Sequence, residues 1–236
     1  MCTASWVHEE DGFQLLFNRD EQRTRLPAEA PRLGLRDGVR VIAPADGDHG
    51  GAWISVNERG IALCLLNGSY GRGGARSRGL LLSELAGART AGEAMERLAR
   101  AELSRYSAFT LAALEPGRRA AMAEWDGAAV RVRDDGDDRL PLSSSSFDAA
   151  GVRVKRRAEF ERITGGQCDD AARLFRFHES HGQEADAYSP CMHRADAETV
   201  SFSWVKVTPG EVSFFYTPAA PCQWVPGQTI VIGRCA

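Results

Sequence analysis

The residue with the clearest capacity for chemistry is Cys2, which directly follows the initiator Met1 and precedes Thr3. A small residue at position 2 generally permits removal of the initiator methionine, and Cys2 then carries both a thiol and a free α-amino group. A cysteine thiol titrates near about 8.5 and an α-amino group near about 8, so the amine can accept the thiol proton while sulfur attacks a carbonyl. The alternative is that Cys2 is only a small buried residue on a first strand.

The other cysteines are dispersed along the chain, at Cys64, Cys168, Cys191, Cys222 and Cys235. None forms a C-x-x-C pair, so a structural zinc site is not supported, and most thiols are expected to be reduced. His178 and His181 are three apart on a predicted helix, and Cys191 and His193 are close in sequence. Because packed or solvated histidines are commoner than metal ligands, we predict no metal site.

The elements that must hold Cys2 begin with a hairpin. Residues Cys2 to His8 predict a strand, Glu9 to Gly12 a turn and Phe13 to Phe17 the return strand, because Asp-Gly between apolar runs is a turn signal. A polar loop containing Pro27 and Pro31 is predicted next. Further strands are predicted over residues 39–43, 52–56, 61–66, 108–114, 120–125, 128–132, 199–207, 211–217 and 228–232, and helices over 77–85, 91–106, 156–163 and 169–179. Runs of strands separated by runs of helices favour an α+β architecture.

The bulk composition limits the classes of function. The 236 residues suit a single domain over residues 1–236, and 43% hydrophobic with 26% charged residues is typical of a soluble globular protein. A net charge of -3 gives no electrostatic argument for a nucleic-acid partner. No apolar run reaches the roughly 18 residues of a membrane span, and the acidic residues 9–11 do not fit a signal peptide. We therefore expect a cytoplasmic protein without a membrane span, and the oligomeric state stays open.

Several short segments follow one another in an order that is typical of a known family. They are Met1-Cys2 with Asn18-Arg19-Asp20-Glu21, Gly50-Gly51-Ala52-Trp53 with Arg59-Gly60, Arg76-Ser77-Arg78-Gly79, and the segment 194–200. Together they span most of the chain and resemble the NRDE family, whose eukaryotic members are called transport and Golgi organisation proteins. That family is similar to the N-terminal-nucleophile hydrolases of the choloylglycine hydrolase and penicillin acylase group. The resemblance implies a four-layer αββα sandwich, with two packed antiparallel sheets flanked by helices.

The resemblance also implies roles for the residues around Cys2. Cys2 is expected to be the nucleophile, with Arg19 favouring its thiolate and Asp20 holding the terminal amine. The order of the tetrapeptide departs from the Arg-Asn-x-Asp of those hydrolases, so either Asp20 or Glu21 faces Cys2. The alternative is an Arg–carboxylate pair that only stabilises the fold. The residues expected to contribute to substrate binding are Asn18, Glu21 and Trp53.

Two further positions take roles from the same resemblance. Asn67 is expected to stabilise an oxyanion with its side-chain amide, although a turn at Asn67-Gly68 explains this residue almost as well. Arg194 is expected to present a positive group to the site, the alternative being an exposed arginine at a strand end. A second asparagine expected near the middle of the chain is missing, and the segment Ser143 to Ser146 occupies that region. The glycine-rich segment 68–74 is predicted to form a mobile edge of the site.

These inferences lead to one leading hypothesis and one rival. The leading hypothesis is cleavage or transfer of a non-peptide amide through a Cys2 thioester, with a small-molecule substrate and no cofactor. The rival is a haem-binding or haem-trafficking protein on the same fold, in which Cys2 or a histidine ligates iron and Trp6, Phe17 and Trp53 line an apolar pocket. A third and weaker option is a scaffold without catalysis. Analogy of fold cannot decide among them.

Overall fold

Two antiparallel sheets dominate the computed structural model, which describes residues 2–68, 74–166 and 169–235. The strands are β1 (Cys2–Glu9), β2 (Gly12–Gln22), β3 (Glu29–Arg36), β4 (Val39–Ala45), β5 (Ile54–Asn57), β6 (Ala62–Asn67), β7 (Phe109–Leu114), β8 (Ala121–Trp125), β9 (Val130–Arg133), β10 (Leu142–Ser144), β11 (Ala197–Val207), β12 (Glu211–Thr217) and β13 (Gln228–Gly233). The first sheet has the strand order β10-β1-β2-β11-β12-β13, and the second runs from β3 to β9 in chain order.

Within the described residues, four α-helices cover the outer faces of the two sheets. They are α1 (Arg78–Leu85), α2 (Ala91–Arg100), α3 (Ala149–Thr164) and α4 (Ala171–Glu179). The first pair packs on the second sheet, and the last pair packs on the first sheet. The sheets bury a third apolar cluster between them, which includes Trp6 and Phe17 from one sheet and Ile54 and Cys64 from the other. The predicted αββα sandwich is therefore confirmed.

The register of the first hairpin decides which side chains can meet Cys2. Strands β1 and β2 pair with Cys2 opposite Arg19, and the pairing ends at Glu9 opposite Gly12. A Cβ atom at Gly12 would lie 2.0 Å from the carbonyl oxygen of Val207, so only glycine fits this close approach. Because alternate residues of a strand face opposite sides, Arg19 projects to the side of Cys2.

Some boundaries differ from the sequence prediction. The predicted polar loop around Pro31 is strand β3, which is tolerated because Pro31 lies at a register irregularity on the edge strand of its sheet. Helix α3 begins at Ala149 rather than at residue 156, with the Asp148 side chain accepting from the Gly151 amide at 2.9 Å. Helix α2 ends at Arg100 rather than at residue 106, because Ala101 is extended.

The predicted pairing of His178 and His181 on one helix face is wrong. Helix α4 ends at Glu179, and Ser180 is extended, so only His178 is helical. Of the predicted mobile segment 68–74, residues 69–73 lie outside the described residues, as do Met1 and Cys168. Among the described residues, no helix has the length and apolar character needed to cross a membrane.

Candidate active site

Cys2 lies at a cavity of about 340 Å³. Its side chain is 7% exposed, because β1 places it between the two sheets. Burial raises the pKa of the Cys2 thiol, the positive charge of the chain's N-terminus and Arg19 oppose the rise, and Asp20 and Glu21 add to it. The sulfur is therefore held as a thiol that needs a base before it can attack.

Arg19 forms one wall of the cavity through contacts on three sides. Its guanidinium lies 4.2 Å above the centre of the Trp53 ring and pairs with Asp46 and, at 3.5 Å, with Glu21. Arg25 binds the other oxygen of Asp46 at 2.7 Å. The conformation of Arg19 is thus fixed on the same side of the sheet as Cys2, as the register requires.

Both acids of the tetrapeptide line the cavity, but they are held differently. Glu21 follows Arg19 by two residues, so it projects to the side of Cys2. Asp20 is fully buried, and its carboxylate accepts from Arg156 at 3.1 Å and from the Thr199 hydroxyl at 2.7 Å. Both side chains of the Asp20–Arg156 ion pair are fully buried. Asp20 is therefore fixed from the helix side of the sheet.

The serine-rich segment lies beside Cys2 through strand β10, although Ser144 is not among the described residues that line the cavity. Ser144 pairs directly with Cys2 across the β10–β1 ladder, so the two side chains project to the same face. The Ser144 side chain is 8% exposed, and its hydroxyl has no hydrogen-bond partner among the described residues. A buried hydroxyl without a partner beside a nucleophile is available to a ligand.

Arg78 is the site residue for which sequence reasoning gave no role. It lines the cavity from the start of α1, and its guanidinium donates to the Ala108 carbonyl oxygen at 2.8 Å. Burial lowers the pKa of Arg78, whereas Cys2 and Glu21 act in the opposite direction. Within the part of the chain that the structure describes, Arg78 forms no ion pair with a carboxylate. The segment Arg76-Ser77-Arg78-Gly79 had signalled the family without indicating this position.

The structure gives Asn67 and Asn18 surroundings that differ from those the resemblance implied. Asn67 lines the cavity and is the last residue of β6. Strand alternation puts it on the same face as Leu63 and Leu65, which pack towards the helices. Asn18 is fully buried on the helix side, where its amide donates to the carbonyls of His178 and Pro190, each at 2.8 Å.

Arg194 is not among the described residues that line the cavity. It binds Asp196 at 2.7 Å, and its guanidinium lies 5.1 Å from the centre of the Phe147 ring. The arginines that line the cavity are instead Arg19, Arg25, Arg76 and Arg78. Of these, Arg19 and Arg78 interact electrostatically with Cys2.

Comparison with known sequences assigns the chain to a family. The sequence profile of the family described as Transport and Golgi organisation 2 matches residues 1–208. The chain belongs to this family. None of the curated proteins matches the chain.

Solved structures similar to this member of the Transport and Golgi organisation 2 family share its fold. They include penicillin V acylase from Agrobacterium tumefaciens, with a TM-score of 0.57, 10% identity, and coverage of 99% of this chain and 86% of that chain. The N-acylethanolamine-hydrolyzing acid amidase orthologue of Caenorhabditis elegans has a TM-score of 0.60 and 12% identity, covering 86% and 92%. A mutant conjugated bile acid hydrolase from Clostridium perfringens has a TM-score of 0.56 and 12% identity, covering 99% and 92%. These likenesses show the N-terminal-nucleophile hydrolase fold.

The apolar pocket expected for haem is not formed as predicted in this family member. Trp6 and Phe17 are fully buried in the core between the sheets, and the Trp6 indole donates to Asp137 at 2.7 Å. Trp53 does line the cavity, but Arg19 covers its ring. The prediction about Trp6 and Phe17 is wrong. The neighbouring residues Val7 and Leu16 face the helices, so Trp6 and Phe17 face the core between the two sheets.

Proposed function

We propose that the protein is an N-terminal cysteine amidohydrolase or acyltransferase that opens a non-peptide C–N amide bond through a Cys2 thioester. The observation that carries this proposal is the position of Cys2, which lies at a cavity together with the cations Arg19 and Arg78. The unpartnered Ser144 hydroxyl across the ladder from Cys2 adds a group that can serve the same reaction.

The proposed first step uses the α-amine that loss of Met1 would give to Cys2. The neutral amine takes the thiol proton as Sγ attacks the amide carbonyl carbon, and the carbonyl π electrons move to oxygen. As the tetrahedral intermediate collapses, the C–N bond breaks and the ammonium returns its proton to the leaving amine. The products of this step are the free amine and the Cys2 thioester.

The second step restores the thiol. Water, or an acceptor amine in a transferase, attacks the thioester carbonyl and gives a proton to the α-amine. The C–S bond then breaks, and sulfur recovers the proton. Asp20 lines the cavity, and its carboxylate is fixed by Arg156 and Thr199, which supports the proposal that it orients the amine. The Glu21 carboxylate lies 3.5 Å from the Arg19 guanidinium and offsets its positive charge.

The oxyanion of each intermediate requires a donor. Ser144 is the best side-chain candidate, because its hydroxyl is buried, unpartnered in the described structure and on the face of Cys2. Asn67 stays a second proposed donor, because it lines the same cavity.

The charge of the cavity suggests a class of substrate. Arg78 has no carboxylate partner among the described residues, so a negatively charged group beside the scissile amide would complete its electrostatic environment. The names of the structural neighbours, a penicillin acylase, an N-acylethanolamine amidase and a bile acid hydrolase, support an amide of a small molecule. We therefore propose a small amide that carries an acidic group.

The test is turnover of a panel of small amides, with and without a carboxylate, by the wild-type protein, Cys2→Ala and the control Cys64→Ala. Cys64 is buried in the same core, so its variant controls for loss of a thiol there. We expect wild type and Cys64→Ala to release amine and Cys2→Ala to release none. Equal turnover by Cys2→Ala would overturn the proposal. If no amide is cleaved while haem binds wild type and Cys2→Ala alike, the haem-carrier alternative replaces it.

A further inference from the structure

Four potential metal ligands converge outside the lining of the cavity at Cys2. His181 lies just beyond α4, Cys191 and His193 precede β11, and Cys222 lies in the short helical turn Pro221–Gln223 after β12. One ligand atom from each of these side chains lies within 4.8 Å of every other. Three separate segments of the chain therefore meet at one point.

The distances approach those of a tetrahedral zinc site. Bonds of about 2.3 Å to sulfur and 2.0–2.1 Å to nitrogen, at tetrahedral angles, separate sulfur from nitrogen by about 3.6 Å. The Cys191 and Cys222 sulfurs lie 3.6 and 3.4 Å from Nε2 of His193. Two of the ligand–ligand distances thus match the tetrahedral spacing, and the others are within 4.8 Å. The rings of His181 and His193 have centroids 5.0 Å apart.

Hydrogen bonding within the cluster leaves its polar groups incompletely satisfied. Nε2 of His193 has either one lone pair or one proton, but two sulfurs approach it. Nε2 of His181 is buried and has no hydrogen-bond partner in the described structure. A single cation at the centre would satisfy both nitrogens and both sulfurs together.

The backbone around the cluster holds the ligands in place. The Cys191 amide donates to the Ser180 carbonyl at 3.0 Å, and the Ser189 hydroxyl donates to the His181 carbonyl at 3.0 Å. His193 forms an isolated bridge with Glu198. A site whose ligands are positioned before the metal arrives loses less conformational entropy on binding.

We propose that His181, Cys191, His193 and Cys222 bind one Zn²⁺ in a closed, four-coordinate structural site. Two thiolates and two imidazoles are a typical set for zinc, and four protein ligands leave no open position for catalysis. Binding forms two Zn–S and two Zn–N bonds and releases the two thiol protons to solvent, so the loaded site is electrically neutral. No oxidation or reduction is involved.

The proposed zinc would also support the active site indirectly. Met192 lies between two of the ligands, and its amide donates to the Thr199 hydroxyl at 2.8 Å. That hydroxyl in turn donates to Asp20 at 2.7 Å. Fixing the loop that contains Met192 therefore helps to fix the carboxylate of Asp20, which lines the cavity.

This proposal goes against the sequence-based prediction of no metal site. The sequence pattern showed Cys191 and His193 but could not connect them with Cys222, which is 29 residues beyond His193. It also assigned His181 to a helix face that the chain does not form.

The test is metal content and Co²⁺ binding of the full-length protein, purified with reductant. We expect one zinc per chain, and after its removal stoichiometric Co²⁺ binding with thiolate charge-transfer bands and the intense visible bands of tetrahedral cobalt. Cys222→Ser and His181→Ala should lose stoichiometric binding, whereas Cys235→Ser should keep it. Because the cobalt spectrum is read on protein whose folding is checked by circular dichroism, a variant that merely unfolds is recognised.

Three results would overturn the proposal. The first is absence of cobalt thiolate bands in folded wild type, and the second is equal cobalt binding by Cys222→Ser. The third is a Cys191–Cys222 disulfide in protein that was alkylated in the cells before lysis. None of these readouts depends on the proposed amidase activity.

Discussion

The polar side chains on the two faces of strand β2 differ in burial and in their partners. On the side of Cys2, Arg19 and Glu21 line a cavity. On the helix side, Asn18 is fully buried, and the carboxylate of Asp20 is bound to the fully buried Arg156. On the cavity side the side chains of Arg19 and Glu21 are 6% and 21% exposed, whereas those of Arg156 and Asp20 on the helix side are fully buried.

The difference shows how one strand can serve both reactivity and stability. A buried ion pair is costly to break, because the remaining charge has no water to solvate it. A charge at an open cavity can be rehydrated, so its partners can be exchanged for a substrate. The fixed helix side therefore acts as the support for a cavity side that remains available for chemistry.

The largest effect on stability is expected from Arg156→Met. The change leaves Asp20 buried without its cation, so the free energy of unfolding should fall by about 3–5 kcal/mol. Arg19→Met, the matched change on the cavity side, should cost about 1–2 kcal/mol, because water can reach the acids that it leaves. Urea denaturation measures both. Equal losses would break the comparison between the two sides.

A smaller effect, on catalysis alone, is expected from Ser144→Ala. Loss of the proposed oxyanion donor should lower kcat by about 100-fold or more, with little change in stability. Ser143→Ala is the matched control, since its hydroxyl is also unpartnered but alternation places it on the other face. Steady-state kinetics on the best substrate provide the measurement. An unchanged kcat in Ser144→Ala would indicate that Asn67 or a backbone N–H stabilises the oxyanion instead.

The third expected effect is a gradual change of stability with pH, which His178 contributes on the helix side. Its ring contacts the Ser5 hydroxyl at 2.9 Å and the Asn18 oxygen at 3.0 Å, and burial, with a smaller contribution from Arg156, lowers the pKa of His178 to about 3. Between about pH 6.5 and 3, unfolded His178 binds a proton that the native state does not, so stability falls as pH falls.

The magnitude of this pH effect can be measured by difference. His178 contributes a slope of up to about 1.4 kcal/mol per pH unit below pH 6.5, and His178→Gln should remove that contribution. Above about pH 7 the stability curves of the two proteins should run parallel, because both His178 states are neutral there. Parallel curves below pH 6 would show that His178 is protonated in the folded protein.

The sequence was most informative where a local pattern determines structure. The Asp11-Gly12 turn and the apolar alternation around it predicted the hairpin, and the structure gives its register, with Arg19 opposite Cys2. The tetrapeptide then indicated a polar group beside the thiol. Strand β3 was missed because Pro31 reads as a loop signal, whereas an edge strand accepts it.

The remaining features depend on contacts between distant segments. Nothing in the local sequence pairs Ser144 with Cys2 or Arg156 with Asp20, since each pair brings together residues that are more than 130 positions apart in the sequence. The roles assigned to Asn18 and Arg194 came from resemblance, and they ignored the alternation that directs Asn18 to the helix side. Tertiary packing, not residue type, decides which of these polar groups reaches the cavity.

The central claim is that Cys2 provides both the nucleophile and its base, and the mass of the intact protein tests it most directly. Untagged protein is weighed before and after brief treatment with limiting iodoacetamide, and the adduct is mapped. The account predicts loss of Met1 and preferential alkylation of Cys2 over the exposed Cys235. Protein that keeps Met1 has no free amine on Cys2, and this result would contradict the mechanism.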